Sequence, residues 1–438
     1  MLNPGDNIRQ TKTIEPLAGF PFGELKFGLR GDARSVRPAK ALISYCRRNK
    51  ITDMIFLAHG FRGNAASATS LYMRLLANLG ANFTRPEFAS RIGGRKFAAV
   101  GVYWNSEEYP ESVGGTESAR DALDLLRKHC ATPYSAAHIG HARSLLRVVE
   151  IDHHAQDEFV ASVLRAFGDG SDDPAEGLPL LRGMRGSELL AEFHDHATRR
   201  SGGIDNMPFV SPASGGVGAF LNFMTWSALK KMSGTVGTRG LADMLIAGRR
   251  KLGASVKFHL VGHSLGARLA AECCRELGQR GDVKVDSLTL LEGAFSQFGF
   301  SPDAGSGRPG FFRDVIEKKV VTGPMISTFS NADAVLKNAY SFASRLHRNR
   351  LQYAGDASSP YAAIGANGAQ QTPESAAVKL QRAGNLYRNP FESGILTCLD
   401  GTPWQGERPH WRRRKGEISG HDDVTNANVT YAIASAVL

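Results

Sequence analysis

Short apolar runs alternate along this chain with stretches in which apolar residues recur every three or four positions. The runs predict buried strands, and the periodic stretches predict amphipathic helices. The predicted strands lie at residues 53–58, 97–104, 257–262, 287–291 and 325–330. The predicted helices lie at residues 39–48, 66–79, 236–251, 265–277 and 423–437. Gly80 and Gly278 are expected to end two of these helices. Such alternation predicts an α/β fold, in which helices cover a mostly parallel sheet.

Residues 107–235 interrupt the alternation, because they separate the second predicted strand from the next predicted helix by far more than an ordinary connection. Segments rich in Gly, Ser, Asp and Pro, such as 168–177, divide this region. Its predicted helices lie at residues 118–129, 156–167 and 188–196. We therefore expect a core of residues 1–106 and 236–438, with 107–235 as a large, mainly helical cap inserted into it. Two shorter segments that also fit the alternation poorly, 298–323 and 345–420, are expected to be long loops on the core.

Composition narrows the class of protein without indicating its activity. Of the 438 residues, 42% are hydrophobic and 22% are charged, which excludes disordered, collagen-like and low-complexity chains. The strongest apolar run of the N-terminal third, 97–104, is far shorter than the ~20 residues that span a bilayer. Residues 1–13 are polar and do not resemble a signal peptide. The five cysteines, an odd number with Cys273 and Cys274 adjacent, suit reduced thiols. A cytoplasmic location is therefore expected.

One serine lies between two glycines where a predicted strand meets a predicted helix. The segment is Gly262-His263-Ser264-Leu265-Gly266. The pattern Gly-x-Ser-x-Gly alone is weak, but a serine on a sharp strand-to-helix turn has strained backbone angles, and small neighbours let other chain segments pass close to it. The start of the following helix offers free N–H groups to a negatively charged oxygen. The position of the motif therefore indicates a nucleophilic serine.

This segment resembles the nucleophile elbow of the α/β-hydrolase-fold serine hydrolases, whose esterases and lipases often carry the same Gly-His-Ser-Leu-Gly sequence. The resemblance covers residues 50–106 and 236–438 but not the insertion. It implies an α/β-hydrolase fold and a catalytic order of Ser, acid and His along the chain. It also implies an oxyanion loop after an early strand, and His59-Gly60-Phe61 matches that loop.

The resemblance assigns roles to individual residues. Ser264 would be the nucleophile, and the backbone N–H groups of Phe61 and Leu265 would hold the oxyanion. His421, just before the last predicted helix, stands where the family places its catalytic histidine. An imidazole suits this role because its pKa lies near neutrality.

Three carboxylates compete for the role of the catalytic acid. Asp333 follows the strand predicted at 325–330, which is where many family members carry the acid, and it is therefore favoured. Glu292 ends the preceding strand, a position that a minority of the superfamily uses. Asp400 follows the apolar run 395–399. Asp333 could otherwise be only the N-cap of a helix that starts near Ala334.

Other features of the chain bear on partners. Phe220, Phe223 and Trp226 belong to the most apolar part of the insertion, and they are expected to line an acyl pocket, to pack the cap onto the core, or to form a lid that opens on lipid. The runs 345–350 and 408–415 supply much of the net charge of +11 and could contact an anionic substrate or membrane. No nucleic-acid-binding fold accompanies them, so nucleic acid is not expected. The histidines of the insertion match no known ligand spacing, so no metal is expected.

Together these features predict an enzyme that hydrolyses a carboxylic ester through an acyl-enzyme intermediate and needs no cofactor. Its substrate would be a small-molecule ester or a lipid. A lipase or phospholipase that works at an anionic membrane surface is the alternative. A catalytically silent binding protein of the same fold is a third possibility, because fold alone does not establish activity.

Overall fold

The computed structural model describes residues 14–34, 37–61, 64–106, 115–130, 132–167, 181–199, 215–281, 283–305, 307–337, 340, 362–387, 391–403 and 417–438. Its strands are β1 Pro16–Leu17, β2 Phe20–Phe27, β3 Asp53–Ala58, β4 Phe97–Trp104, β5 Lys257–His263, β6 Ser287–Leu291, β7 Met325–Phe329, β8 Ser375–Lys379 and β9 Leu396–Asp400. Its α-helices are α1 Arg37–Arg48, α2 Ala65–Phe83, α3 Ala89–Ile92, α4 Gly115–Lys128, α5 Pro133–Leu145, α6 His153–Ala166, α7 Gly186–Arg199, α8 Gly215–Thr235, α9 Ala242–Leu252, α10 Leu265–Arg280, α11 Arg313–Glu317, α12 Ile364–Asn367 and α13 Ala427–Val437.

The strands of the described residues form one sheet in the order β1-β2-β4-β3-β5-β6-β7-β9-β8. The short β1 is antiparallel to β2, and every other neighbouring pair is parallel. The prediction of a mostly parallel sheet flanked by helices is therefore confirmed. In a sheet of this kind the carboxyl ends of the strands meet at one edge. The segments that follow β3, β5, β6 and β7 all start from that edge.

Strand β3 shows why both faces of the sheet are covered. Met54 and Phe56 point to one hydrophobic cluster, and Ile55 and Leu57 point to another, as the two-residue period of a strand requires. Residues of α1, α9 and α10 pack in the first cluster, and residues of α2 and α13 pack in the second. All six residues of β3 are buried, and the five that follow Asp53 are apolar instead of alternating with polar residues.

The insertion between β4 and β5 is helical, and its last helix, α8, packs against α10 on the first face of the sheet. Helices α4 to α8 lie in it, and the three helices predicted there are found close to their predicted limits. Phe159 and Phe220 belong to the same hydrophobic cluster as Leu260 of β5 and Leu265 of α10. The described part of the insertion therefore shares one continuous apolar core with the first face of the sheet.

The helix predicted at 236–251 is longer than expected, and its predicted start is wrong. Helix α8 continues through a π-helical segment, Val236–Leu241, into α9. Thr235 has helical backbone angles, φ −62° and ψ −40°, so the chain does not break there. A wider turn within a helix often marks a functional or strained position, and sequence periodicity gives no sign of it.

Glycine ends neither helix where the sequence predicts. Helix α2 continues past Gly80, and the ring of Phe20 is the group that a Cβ on this glycine would meet first. Helix α10 runs past Gly278, on which a Cβ would lie 2.6 Å from Cγ2 of Val320, and it ends at the left-handed Gly281. Gly278 therefore serves packing, whereas a Cβ on Gly80 would make an ordinary contact of 3.4 Å with Phe20, and of these three glycines Gly281 serves as the C-terminal cap. The last helix begins at Ala427 and not at 423, because Asn426 caps it.

Strands β2 and β8 are absent from the predictions for a physical reason. Strand β2 contains a proline and a glycine and exposes Lys26, so it does not form an apolar run. Strand β8 is an exposed edge strand with little burial. It lies with β9 and α12 inside the region 345–420 that was expected to be a loop. The basic runs 345–350 and 408–415, and the segment 168–177, lie outside the described residues.

No helix within the described ranges is both long and apolar enough to cross a membrane. All five cysteines are free thiols, and four of them are buried. Burial raises the pKa of Cys274 to about 12, so this thiol stays protonated and inert. These cysteines act as small apolar core residues, which agrees with the prediction of reduced thiols.

Candidate active site

Ser264 occupies the sharp turn between β5 and α10. Its backbone angles, φ 57° and ψ −121°, are a strained combination for a residue with a side chain. A Cβ on Gly262 would lie 2.2 Å from the carbonyl oxygen of Gly266, and a Cβ on Gly266 would lie 2.2 Å from the carbonyl oxygen of Ala58. No side chain fits at either glycine. The spacing of the motif therefore follows from the close passage of β3, β5 and α10.

The imidazole of His421 lies between Ser264 and Asp333. Its Nε2 is 2.8 Å from Oγ of Ser264, and its Nδ1 is 2.7 Å from Oδ2 of Asp333. An ionised carboxylate only accepts hydrogen bonds, so the proton of the neutral ring is on Nδ1 and Nε2 is left as an acceptor. In this tautomer, Nε2 can take the proton of the Ser264 hydroxyl.

Among the three candidate acids, Asp333 is the one in contact with His421. Burial opposes its ionisation, but the charge and hydrogen bond of His421, the Leu336 amide and Glu292 together lower the pKa of Asp333. The Leu336 amide donates to Oδ1 at 2.9 Å. Asp400 is bound elsewhere, with Oδ2 3.2 Å from Nζ of Lys379. Glu292 is buried beside Asp333 and makes no hydrogen bond with His421.

The loop that carries His421 is fixed by bonds to two of the neighbouring loops. Nε2 of His263 is 2.9 Å from the backbone carbonyl of His421, so it donates to that oxygen. Burial lowers the pKa of His263 to about 4, which keeps the ring neutral at neutral pH. The hydroxyl of Ser330 donates to the carbonyl of Ile418 at 2.6 Å. No pattern in the sequence indicates this role of the His263 side chain, and it was not predicted.

The predicted oxyanion loop lies next to Ser264. A Cβ on Gly60 would be only 2.6 Å from Cβ of Ser264, so the two backbones approach closely. Leu265 is the first residue of α10, and its amide has no hydrogen-bond acceptor within the part of the chain that the structure describes. A free amide at a helix start is suited to bind a negatively charged oxygen. Phe61 directly follows Gly60, as the prediction requires.

Two aromatic residues hold this loop in place. The hydroxyl of Tyr72 accepts from the amide of His59 at 2.9 Å, and Nε1 of Trp104 donates to the carbonyl of His59 at 3.1 Å. The rings of His59 and Trp104 stack with centroids 5.5 Å apart. Burial lowers the pKa of His59 to about 4, so His59 stays neutral. His59 thus acts as a structural support for Gly60 and Phe61.

The three aromatic residues predicted for substrate binding lie in two places. Trp226 packs edge-on against Phe61 with centroids 5.4 Å apart, which brings it to the oxyanion loop. Phe220 is fully buried against Phe193 of α7, at 5.6 Å, and Phe223 contacts the same ring at 5.7 Å. The described ring contacts of these two phenylalanines therefore lie among the inserted helices.

The site consists of protein groups that can move a proton and hold an anion. Within the described ranges, no three or more His, Cys, Asp or Glu side chains converge as metal ligands do. No protein-family model, curated protein or solved structure matches this chain significantly.

Proposed function

We propose that this protein is a serine hydrolase of the α/β-hydrolase fold that cleaves a carboxylic ester through an acyl-enzyme intermediate. One observation carries the proposal: a strained serine is hydrogen-bonded to a histidine, which is hydrogen-bonded to a buried aspartate, at the carboxyl edge of a parallel sheet. In this proposal residues 1–106 and 236–438 form the hydrolase core, and 107–235 form its cap.

In the first half of the reaction, Oγ of Ser264 attacks the ester carbonyl carbon while Nε2 of His421 takes the hydroxyl proton. The carbonyl oxygen becomes an oxyanion, to which the amides of Leu265 and Phe61 donate. Asp333 stabilises the imidazolium through Nδ1. The intermediate then collapses, the ester C–O bond breaks, and His421 gives its proton to the leaving alkoxide. The products are an alcohol and an ester of Ser264.

In the second half, water replaces the alcohol. Nε2 of His421 takes a proton from the water as it attacks the acyl carbon, and the same donors hold the second oxyanion. Collapse breaks the bond to Oγ, and His421 returns the proton to Ser264. The sum of both halves is ester plus water giving acid plus alcohol. No cofactor takes part in either half.

The surroundings of Phe61 favour a substrate with an apolar group. Trp226 packs on Phe61, and Tyr340 lies edge-on to Trp226 with centroids 6.5 Å apart. Aromatic side chains of this kind commonly line pockets for acyl or alkyl groups. A small-molecule carboxylic ester with such a group is therefore the proposed substrate.

Hydrolysis of p-nitrophenyl acetate, butyrate and laurate tests the proposal. The wild type is expected to release p-nitrophenol, and Ser264→Ala is expected to lower kcat by about 10⁴-fold or more. Ser90→Ala, which changes an exposed serine on α3, is the control and should equal the wild type. Equal turnover in Ser264→Ala and wild type would contradict the proposal.

The two alternatives remain predictions. The lipase or phospholipase hypothesis depends on the apolar segment 220–226 together with the runs 345–350 and 408–415, and the two runs lie outside the described residues. Activation by anionic vesicles would distinguish it from a soluble esterase. The silent binding protein differs from both, because it would turn over none of these esters in any condition.

A further inference from the structure

Glu292 occupies a strained turn directly beside the nucleophile. It follows β6 with φ 43°, and the carbonyl of the preceding Leu291 accepts from the amide of Ser264 at 2.9 Å. Its own amide donates to Oγ1 of Thr328 on β7 at 3.0 Å. A Cβ on Gly365 would lie 2.3 Å from the carbonyl carbon of Glu292, so the turn is tightly enclosed. Its side chain is fully buried.

The ionised form of the Glu292 carboxyl group has no hydrogen-bond donor within the described ranges to stabilise it. Neither of its oxygens accepts a hydrogen bond from an N–H or O–H group of the described residues. Burial and the Asp333 carboxyl raise the pKa of Glu292, and the Thr328 hydroxyl and the Ser330 amide, which act in the opposite direction, do not offset them. A buried carboxylate without donors is strongly disfavoured, and a second carboxylate next to it makes ionisation harder still.

Asp333 has the opposite surroundings. Oδ2 faces His421, and Oδ1 accepts a hydrogen bond from the Leu336 amide. The negative charge of Asp333 also favours the protonated forms of Lys337 and His263. Each carboxylate oxygen has two lone pairs, so Asp333 can accept a further hydrogen bond. Asp333 can therefore accept a hydrogen bond from its neighbour, whereas Glu292 has no donor in the described part of the chain that would stabilise a charge. One proton on Glu292 would satisfy both carboxyl groups.

We infer that Glu292 is a positioning residue that stays protonated and donates its O–H proton to the Asp333 carboxylate. The hydrogen-bonded chain then runs from Glu292 through Asp333 and His421 to Ser264. The hydrogen bond from Glu292 orients the Asp333 carboxylate. Because Glu292 is neutral, the single negative charge of the two carboxyl groups stays on Asp333, which faces the imidazole of His421. The catalytic consequence of Glu292 rests on the proposed function, whereas its protonation does not.

The directions of the two pKa values agree with this assignment. Burial, followed by the charge of Asp333, raises the pKa of Glu292 well above its ordinary value. Burial opposes the ionisation of Asp333, but the charge and the hydrogen bond of His421 lower its pKa. Adjacent carboxyl groups whose surroundings separate their pKa values in this way divide into one acid and one carboxylate.

Infrared difference spectroscopy on the full chain at neutral pH tests the protonation without any substrate. The spectrum of the wild type minus Glu292→Gln is expected to contain the C=O stretch of a protonated carboxylic acid. Glu272→Gln is the matched control, because Glu272 is also buried but is paired with Arg268 and should give no such band. Absence of the band from the Glu292 difference would overturn the inference, whether or not the protein hydrolyses esters.

Kinetics test the positioning role. Glutamine keeps an N–H donor, so Glu292→Gln is expected to change kcat/KM by no more than about 3-fold and to leave the acidic limb of its pH profile in place. Glu292→Met removes the donor and should lower kcat/KM by about 10-fold or more. If Glu292 were ionised, Glu292→Gln would move the acidic limb to lower pH by about one unit, because a negative charge near the imidazolium would be lost. That result, or equal rates for Met and Gln variants that fold normally, would contradict the inference.

Discussion

The side chain of His263 holds the backbone of His421 in place through one hydrogen bond. Nε2 of His263 donates to the backbone carbonyl of His421. The lowered pKa keeps the His263 ring neutral, and its single N–H makes this bond. Loss of the bond would let the loop shift, and a small misplacement of a catalytic base is costly. His263 therefore belongs to the groups that determine the geometry of the proposed reaction.

For this reason His263→Ala is expected to lower kcat/KM for p-nitrophenyl butyrate by about 10- to 100-fold. His263→Gln should recover most of that loss, because its amide nitrogen can take the place of Nε2. The acidic limb of the pH profile should not move in the glutamine variant, since His263 carries no charge there. Equal losses in the alanine and glutamine variants would show that the hydrogen bond is unimportant.

The choice among three acids is tested by two asparagine variants. Asp333→Asn replaces the carboxylate that holds His421 in the required tautomer by a neutral amide, and it should lower kcat by about 10⁴-fold. Asp400→Asn, which affects contacts with Lys379 and Thr402 among the described residues, should stay within a few-fold of wild type. Steady-state kinetics of both variants decide the matter, and the reverse order would exclude Asp333.

At the scale of elements, the turn between β5 and α10 is held by close backbone contacts. Gly266→Ala would place Cβ 2.2 Å from the Ala58 carbonyl, so we expect it to lower the free energy of unfolding by about 4 kcal/mol or more, or to prevent folding. Gly140→Ala is the control, because Gly140 lies within α5 with nothing within 4 Å of the added Cβ. It should stabilise by about 0.5–1 kcal/mol. Urea denaturation measures both, and a mild effect of Gly266→Ala would refute the tight turn.

Sequence pattern predicts the elements of this fold best where burial is complete. Strands β3, β4 and β6 were predicted at their observed limits, because their apolar runs are packed on both faces. Strand β8 was missed because its side chains face solvent at the sheet edge. The end of α10 was misjudged because Gly278 packs closely on Val320, which is distant in sequence. Contacts of that kind cannot be inferred from local pattern.

At the scale of the whole molecule, Asp53 joins the start of the central strands to the end of the chain. It is fully buried, and His259 and Arg95 both bond its carboxylate, with His259 Nε2 3.0 Å from Oδ1. Arg95 also donates to the backbone carbonyls of Val437 and Leu438. Burial opposes ionisation, but these partners lower the pKa of Asp53 below its ordinary range.

This network predicts a definite dependence of stability on pH. A lowered folded-state pKa contributes stability that is complete above the unfolded-state pKa of about 3.9 and is lost as pH falls below it. At pH 7, Asp53→Asn should lower the free energy of unfolding by about 3–5 kcal/mol, because Arg95 is left without its carboxylate. The difference between wild type and variant should shrink as pH falls below about 4. Urea denaturation across that range checks this, and a constant difference would contradict it.

The candidate site spans loops that follow β3, β5, β6 and β7 and one that precedes α13, so its parts were predictable to different degrees. Ser264 and the Gly60–Phe61 loop carry local motifs, and the order along the chain indicated His421. The sequence left Asp333, Glu292 and Asp400 open, because only their distances to His421 separate them. The hydrogen bond of His263 and the enclosure of Glu292 depend on packing between distant segments and leave no local signal.

The most direct test of the proposed function is covalent labelling with a fluorophosphonate, located by peptide mass spectrometry. Such a probe reacts with a serine only when a neighbouring base activates it. We expect the wild type to be labelled at Ser264, and both Ser264→Ala and His421→Ala to remain unlabelled. A folded wild type that takes no label, or that is labelled equally in His421→Ala, would contradict an activated Ser264.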